Sequence, residues 1–469
     1  MDLGSRLRAI VRGGPPRPIR ELTYEPDTGG YEAVMDLDRV AEILGGQPVE
    51  TPFGRCLRID RRYESDRRHG NIRIDECEVT DYSSLSLLAP DLLERPEPST
   101  QHLAPSTPHL APSTQHPAPS TQHPAPSRTL FVDLETTGLS GGAGTVAFLV
   151  GCGYFDLGAF QVRQFLLTSY AAERALLAAV AEFMDGTGLL VTYNGKTFDV
   201  PVMETRWSFH RMEAPDFTSA GVPHFDVLHP ARRLWRNRVA SPDPRQAELA
   251  EEGCRLSTLE RVLFGVERVG DVPGGEIPDR YFQFLRSGDP RPLEPVLEHN
   301  RLDLVSLAAV MARAARLAAD GHEACRDAAE ALALGRVYER AGSTDRAERC
   351  YRHAVASECI EVRAEALYRL GLRMRRDKRY EEAASVWRDV MALTDARSVR
   401  RHQDLAALRQ FAVEALAIHH EHRDVDLAAA RELALFALED ADDSRADLVR
   451  YRLARLDRKL NRSKEGRLI

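Results

Sequence analysis

The chain has 469 residues, enough for two or three domains with cores of their own. Its hydrophobic content of 43% is ordinary for a globular protein, and no apolar run approaches the roughly 20 residues of a membrane span. Seven scattered cysteines without a C-x-x-C pair argue against a zinc ribbon or disulfide framework and favour the reducing cytoplasm. The net charge of −8 gives no hint of a nucleic-acid partner but excludes none, because such a partner needs only a local basic patch.

Residues 1–97 are predicted to form a small α+β region. GGQPVETPFGRCLRIDRRY and GNIRIDECEV read as short strands bounded by turn residues, and no catalytic constellation is found there. Residues 98–127 repeat PSTQHLA-like units every seven residues. Each unit carries proline and almost no large apolar residue, so this segment is predicted to be a disordered, extended linker and not a coiled coil.

Residues 128–317 alternate strand and helix signals and predict an α/β sheet covered by helices. TLFVDLE, TVAFLVGCGYF and FQVRQFLL read as strands, the last two joined by the hairpin-like DLGA. AAERALLAAVAEFMDG reads as an amphipathic helix and GLLVTYN as a fourth strand.

Residues 325–469 are alanine-rich and predict an all-α domain. Two helical segments repeat 36 residues apart, so that Gly335 matches Gly371 and Tyr351 matches Trp387. The small residue lets two helices pack closely, and the aromatic ring fills the gap between them. The pattern resembles tetratricopeptide repeats, whose period is about 34 residues. Two clear units are fewer than the usual minimum of about three, so an ordinary helical hairpin domain is the alternative.

Four acids are candidates for chemistry. Asp133 and Glu135 stand one residue apart in FVDLETTGLSGG, so a strand points both to one face. Asp199, in VTYNGKTFDV, follows another apolar strand where a helix begins, and Asp303 lies within the apolar helix of RPLEPVLEHNRLDLVSLAA. A buried acid there would need a cation, a hydrogen-bonding partner or solvent. A further acid, Asp226, ends a short apolar run and either orients a ligand or caps a turn.

This ordered set resembles the DEDD exonucleases of the ribonuclease H-like superfamily. Asp133 and Glu135 match the first motif, D-x-E, Asn194 and Asp199 match the second, N-x3-[FY]-D, and Asp303 matches the acid on a late helix. The segment LSTLERVLFGVERVGDVPGG and the phrase HNRLD are similar to bacterial YprB-type proteins, in which such a domain precedes tetratricopeptide-like repeats. The resemblance implies a central mixed sheet flanked by helices.

The chemistry of phosphodiester hydrolysis fits these residue types. Two divalent ions about 3.5–4 Å apart can supply the attacking hydroxide and stabilise the leaving oxyanion. Hard ions such as Mg²⁺ or Mn²⁺ prefer oxygen ligands, and four clustered carboxylates without a cation would repel one another. Asp133, Glu135, Asp199 and Asp303 are therefore the predicted ligands, with Asp133 expected to bridge both ions.

The predicted general base departs from the family pattern, which has tyrosine four residues or histidine five residues before the last acid. Here His299 stands four before Asp303, and Glu298 stands five before it. On a helix His299 lies within about 40° of Asp303, whereas Glu298 lies roughly 140° away. His299 is the predicted base because imidazole suits proton abstraction near neutral pH, and a purely hydrogen-bonding role is the alternative.

Two groups of residues are candidates for contacting substrate. The family resemblance implies that Thr136, Gly138 and Asn194 lie against a 3′-terminal nucleotide; otherwise they are ordinary turn residues. A basic run with an aromatic residue among its members could contact a strand backbone or form a solvated helix face. Its residues are Arg232, Arg233, Trp235, Arg236 and Arg238.

The predicted protein is a cytoplasmic, divalent-metal-dependent 3′→5′ exonuclease acting on single-stranded or frayed DNA or RNA. Its repeats would recruit a protein partner, and no membrane is involved. One rival is a structure-specific endonuclease of the same fold. The other is a scaffold whose nuclease-like domain is inactive.

Overall fold

A computed structural model describes residues 36–92, 128–138, 144–215, 222–236, 253–394, 403–439 and 443–465. The predicted linker, residues 98–127, lies outside them. In these ranges no helix combines the length and the apolar character needed to cross a membrane. All seven cysteines fall within them and are free thiols.

One seven-stranded mixed sheet organises the first half of the chain. The strands of the described residues are β1 (Gln47–Thr51), β2 (Gly54–Tyr63), β3 (Arg68–His69), β4 (Ile72–Arg73), β5 (Thr129–Thr136), β6 (Ala147–Asp156), β7 (Ala159–Leu166), β8 (Leu189–Thr192) and β9 (His224–Asp226). The sheet order is β1-β2-β7-β6-β5-β8-β9, and β3 and β4 form a separate ladder. Strands β5, β6 and β7 form an antiparallel meander, whereas β8 and β9 run parallel to β5.

The strand predictions for the meander are confirmed. Strands β6 and β7 meet at a tight turn in which Leu157 and Gly158 both have positive φ, at 50° and 75°. Positive φ at both central residues is the hairpin geometry that matches the twist of the strands. Strand β8 is buried along its whole length, as expected of a strand covered on both faces.

The N-terminal strands extend the same sheet. Strand β2 pairs with β7 over seven residue pairs, from Leu57 opposite Leu166 to Tyr63 opposite Phe160. Strand β1 adds the outer edge through an antiparallel pairing with β2. The predicted boundary after residue 97 therefore divides the chain but not the sheet.

Helices cover both faces of the sheet. Those of the described residues in the first two thirds of the chain are α1 (Leu37–Leu44), α2 (Leu85–Leu88), α3 (Glu173–Met184), α4 (Asp199–Phe209), α5 (Leu228–Trp235), α6 (Leu256–Phe264), α7 (Ile277–Ser287) and α8 (Glu294–Asp320). Leu130 and Phe131, successive residues of β5, belong to different hydrophobic clusters. One cluster contains residues of α3, α4 and α7, and the other contains residues of α5, α6 and the long helix α8.

The C-terminal region is helical, as predicted. Its described helices are α9 (Ala328–Arg340), α10 (Thr344–Ala354), α11 (Ile360–Arg376), α12 (Tyr380–Leu393), α13 (Gln403–His419), α14 (Leu427–Glu439) and α15 (Asp443–Glu465). Helices α9 and α10 form one hairpin, and α11 and α12 form a second with the same packing. A Cβ added at Gly335 would lie 2.5 Å from the ring of Tyr351, and one at Gly371 would lie 2.1 Å from that of Trp387. Each of the matched glycines therefore packs against an aromatic ring of the facing helix.

Candidate active site

The candidate site forms where β5 ends. Asp133 and Glu135 alternate with the buried Leu130, Val132 and Leu134, so both acids point to the face that α8 covers. The register with β6 shifts between Glu135 and Thr136. Such a break in the ladder is common beside active sites, where it redirects side chains.

Asp199 approaches the two acids from the neighbouring parallel strand. It is the first residue of α4 and 7% exposed, and its Oδ1 accepts a hydrogen bond of 3.2 Å from the backbone N–H of Leu134. Leu134 lies between the two acids of β5. The second predicted motif is thereby held against the first.

The turn before Asp199 depends on Asp226. Asn194 has a φ of 69°, in the left-handed region. Asp226 is 3% exposed, and its carboxylate accepts hydrogen bonds from the backbone N–H groups of Asn194 (2.8 Å), Lys196 (3.1 Å) and Leu228 (3.1 Å). Of its two predicted roles, these bonds match the capping one, since Asp226 shapes the turns after β8 and β9.

Helix α8 brings Asp303 and an unforeseen residue, Asn300, to the acids. Asn300 is fully buried, and its Nδ2 donates to Oδ2 of Asp133 at 2.8 Å. Its Oδ1 accepts from Nε2 of Gln164 at 2.8 Å. A Cβ at Gly151, which pairs with Asp133 across the sheet, would lie 2.2 Å from that same oxygen. Glycine at position 151 therefore makes room for the amide that orients Asp133.

Burial and mutual repulsion raise the pKa values of the clustered acids. The pKa of Asp133 lies well above its usual range because of burial and then the charges of Asp303, Glu135 and Asp199. The pKa of Glu135 is raised in the same way, by burial and then by Asp303 and Asp199. Burial raises the pKa of Asp199 to about 7, even though backbone hydrogen bonds oppose the shift. The ionised form of these carboxylates, which is the form that binds cations, is therefore destabilised.

His299 lies beside Asp303, as the helical spacing predicts. Its Nε2 is 3.6 Å from Oδ2 of Asp303, and its Nδ1 is 2.7 Å from Oδ1 of Asp271. Burial tends to raise the pKa of Asp271, but the hydrogen bond to His299 and the charges of His299 and Arg268 keep that pKa below its usual value. Glu298, at the alternative spacing, pairs with Arg301 and is half exposed.

A buried cation, Arg268, also reaches the acids. Its guanidinium bonds both oxygens of Glu260, donates to Asp303 and lies 3.4 Å from Asp271. Its side chain is 5% exposed. Sequence reasoning missed Arg268, Asp271, Glu260 and Asn300. Signals existed, because the first three lie in the segment that includes LSTLERVLFGVERVGDVPGG and Asn300 lies in HNRLD.

Comparison with known proteins places this geometry in a family. A profile of the RNase H superfamily matches residues 130–315. The Bacillus subtilis (strain 168) protein YprB, named as uncharacterized, is 32% identical over 332 residues, covering 70% of this chain and 74% of the relative. This chain belongs to the YprB family. Its RNase H-like domain indicates nuclease chemistry, which in this superfamily typically uses divalent metal ions and acts on nucleic acid.

The four predicted ligands of this family member form an all-oxygen set suited to hard divalent ions. They interact electrostatically, but they are not drawn tightly together. Within the described ranges, one group of three acid, histidine or cysteine side chains has ligand atoms all within 4.8 Å of one another, and it lies in the C-terminal helices. Asp303 instead pairs with Arg268. Carboxylates that are buried and repel one another are relieved by added positive charge, so the chemistry of this donor set fits a cation.

The residues around this site that are predicted to contact substrate differ in their burial and hydrogen bonding. Thr136 is buried, and its hydroxyl donates to the carbonyl of Gly138 at 2.8 Å. Among the described residues, a Cβ at Gly138 would meet nothing within 4 Å, so those residues leave space beside it. Asn194 is exposed, although its Oδ1 accepts a hydrogen bond from Thr197 at 2.9 Å.

The basic run on α5 is partly structural. Arg233 donates to the carbonyl of Leu88 in the N-terminal region. Trp235 is fully buried, and its Nε1 donates to Glu330 at 2.9 Å, so the prediction that it accompanies a strand contact is wrong. Arg232 is exposed, and Arg238 lies outside the described residues.

Proposed function

We propose that this protein is a divalent-metal-dependent 3′→5′ exonuclease acting on single-stranded or frayed nucleic acid. The observation that carries the proposal is the electrostatic interaction among Asp133, Glu135, Asp199 and Asp303 near the end of β5, where burial and repulsion raise the pKa values of the first three. The free cysteines support a reducing, cytoplasmic setting.

Two ions, Mg²⁺ or Mn²⁺, would be held by Asp133, Glu135, Asp199 and Asp303. When bound, they supply positive charge for the phosphate and the departing 3′-oxygen. The protein itself positions the carboxylate oxygens that would bind the ions. Asn300 fixes the Asp133 carboxylate, and the N–H of Leu134 fixes that of Asp199. The bond from Arg268 to Asp303 balances part of the charge beforehand.

His299 is proposed as the general base. A carboxylate on one imidazole nitrogen fixes the tautomer, so that the other nitrogen is free to accept a proton. Asp271 lies 2.7 Å from Nδ1, which leaves Nε2, on the Asp303 side, as the acceptor. His299 thus takes a proton from the attacking water, and Asp271 is a positioning residue for it.

The 3′-terminal nucleotide of the substrate is proposed to lie beside Thr136, Gly138 and Asn194. Arg232 and Arg233 are proposed to lie near the backbone of the nucleic-acid strand. The open space at Gly138 and the exposure of Asn194 support contact with a terminal nucleotide. The helical hairpins α9–α10 and α11–α12 are proposed to be tetratricopeptide-like units that recruit a protein partner. Their matched glycine–aromatic packing supports that relation.

The acids are tested with the full-length double variant Asp133→Asn, Asp199→Asn. With Mg²⁺ or Mn²⁺ and 3′-labelled single-stranded DNA and RNA, we expect activity to fall at least about a thousandfold, since each substitution removes a ligand charge. Asp156→Asn is the matched control, because this exposed acid lies at the opposite end of β6. Unchanged activity in the double variant would contradict the proposal. Cleavage of a circular substrate by the wild type would instead identify an endonuclease.

The base is tested separately with His299→Gln. Loss of a general base lowers kcat by about 10²–10⁴-fold. Glu298→Gln is the control, since Glu298 is adjacent in sequence and paired with Arg301. The pH–rate profile distinguishes a base from a merely structural residue, because only loss of the base removes the acidic limb. Equal rates in both variants would rule out His299.

A further inference from the structure

A second cluster of ligand-type side chains lies far along the chain from the acids of the sheet. Glu381, His419 and Asp424 each offer one atom, and these atoms all lie within 4.8 Å of one another. Nε2 of His419 is 3.5 Å from Oε2 of Glu381 and 3.3 Å from Oδ1 of Asp424. One nitrogen and two carboxylate oxygens therefore face a common point.

The backbone departs from α-helical geometry to build this cluster. His419 and Asp424 are five residues apart, and on an α-helix they would point roughly 140° away from each other. Residues 420–424 instead form a π-helical turn at the end of α13. The i to i+5 bonding of such a turn brings residues five apart closer to one face, and π turns are frequent at functional sites. Glu381 joins the cluster from the first turn of α12.

His419 itself points to a ligand. It is 5% exposed, and in the described part of the chain its Nε2 has no hydrogen-bond partner. A buried polar atom without a partner is destabilising by about 1–3 kcal/mol, and the great majority of such atoms are satisfied. The nearest carboxylate oxygens to Nε2 are those of Asp424 and Glu381, at 3.3 and 3.5 Å. A cation shared by all three would satisfy the nitrogen and both oxygens together.

The ligand chemistry selects the class of ion. Imidazole with carboxylates suits borderline divalent metals such as Zn²⁺ and Co²⁺, whereas Mg²⁺ and Ca²⁺ prefer oxygen alone. Glu381 is 78% exposed on its side chain, so solvent can reach the cluster and complete the coordination. Nδ1 of His420 lies 2.8 Å from Oδ2 of Asp424, close in distance but without hydrogen-bond geometry among the described residues.

We propose that Glu381, His419 and Asp424 bind one divalent transition-metal ion of the zinc class. The ion would tie the π turn after α13 to the start of α12. This site is separate from the proposed nuclease centre and does not depend on it, since the two share no residue.

The test uses full-length protein carrying Asp133→Asn and Asp199→Asn, so that binding by the sheet acids is weakened. Titration with Co²⁺ reports the coordination through its visible absorption, and calorimetry with Zn²⁺ gives the stoichiometry. We expect one equivalent of tightly bound metal, with affinity reduced at least tenfold by Glu381→Gln. Glu381 is largely exposed, so this substitution leaves the fold intact. His422→Gln is the matched control, because His422 lies in the same HHEH run, is half exposed and is outside the cluster.

Two results would overturn the proposal. One is the absence of a Co²⁺ spectrum at one equivalent, which would mean that His419 and the two carboxylates contact one another directly without a metal ion. The other is equal Zn²⁺ affinity in Glu381→Gln and His422→Gln, which would place the bound metal elsewhere. Neither result bears on the nuclease proposal, which is read out by cleavage.

Discussion

The acid-bearing face of the sheet and the helix contacts within each hairpin bury different kinds of residue. Beneath the sheet's active face, the chain buries charge and amide groups, including Asp199, Asn300 and Arg268. Between the hairpin helices, it buries glycine against large aromatic rings. Buried ionised groups are held at the expense of stability unless they are paired, whereas close apolar packing adds stability. The difference indicates that the sheet is built around a site and the hairpins around their own rigidity.

The largest expected difference between the two regions is in how their stability depends on pH in the absence of metal. The pKa of Asp199 is about 7 in the folded protein against 3.8 for the free side chain, so the folded state holds the proton more tightly. Stability from this group is therefore greatest at low pH, is lost as pH rises from about 4 to about 7, and is level above that. The shift corresponds to at most roughly 4 kcal/mol.

Calorimetry in the presence of a chelator measures this effect. The unfolding transition temperature of the sheet should fall as the pH rises across this range. Asp199→Asn should make the profile less steep, leaving the contributions of Asp133 and Glu135, and Mg²⁺ should oppose the loss above pH 7 because it binds the ionised acids. The hairpin glycines contribute nothing to it. Identical pH profiles for the wild type and Asp199→Asn would show that Asp199 does not contribute to the pH dependence of stability.

The next effect concerns the buried cation. Arg268→Met leaves Glu260 and Asp303 without their partner, and breaking a buried ion pair in this way is destabilising by about 3–5 kcal/mol. Thermal unfolding checks this, with Arg291→Met as the control because Arg291 is 73% exposed and its side chain bonds Asp289, a neighbour two residues away. Mn²⁺ should raise the transition temperature of Arg268→Met more than that of the wild type. A loss no greater than that of the control would mean that Arg268 is dispensable.

Sequence patterns predicted where these side chains lie when periodicity decides the outcome. Alternation along β5 placed Asp133 and Glu135 on one face, and helical spacing placed His299 rather than Glu298 beside Asp303. The ordered motifs also indicated the fold. These features depend on neighbours along the chain, which a sequence displays directly.

Residues whose roles depend on tertiary pairing escaped prediction. Arg268 reads as one arginine among many until the loop after α6 brings it to Asp303. Asn300 acquires its role only because Gly151 on β6 leaves space for it. The strands β1 and β2 were recognised, yet nothing local showed that they pair with β7. The burial of Trp235 was not foreseen, because its hydrogen bond to Glu330 of α9 joins residues 95 positions apart.

The smallest expected effect tests the hairpins. Gly371→Ala would place a Cβ 2.1 Å from Nε1 of Trp387, so the ring or the helix must move. Overpacking of this kind is destabilising by about 1–3 kcal/mol, which outweighs the better helix propensity of alanine. Nuclease activity should be unchanged, because α11 and α12 carry none of the proposed catalytic residues.

Gly275→Ala is the matched control for that substitution. Within the part of the chain that the structure describes, its added Cβ meets nothing within 4 Å, and its φ lies outside the left-handed region, so stability should change by no more than about 0.5 kcal/mol. Thermal unfolding and the cleavage assay are measured on the same preparations. If Gly371→Ala is as stable as Gly275→Ala, the glycine does not support the ring and the 36-residue match is not a packing repeat. If Gly371→Ala instead lowers activity at a temperature where it is fully folded, the hairpins take part in cleavage and the two regions are not independent.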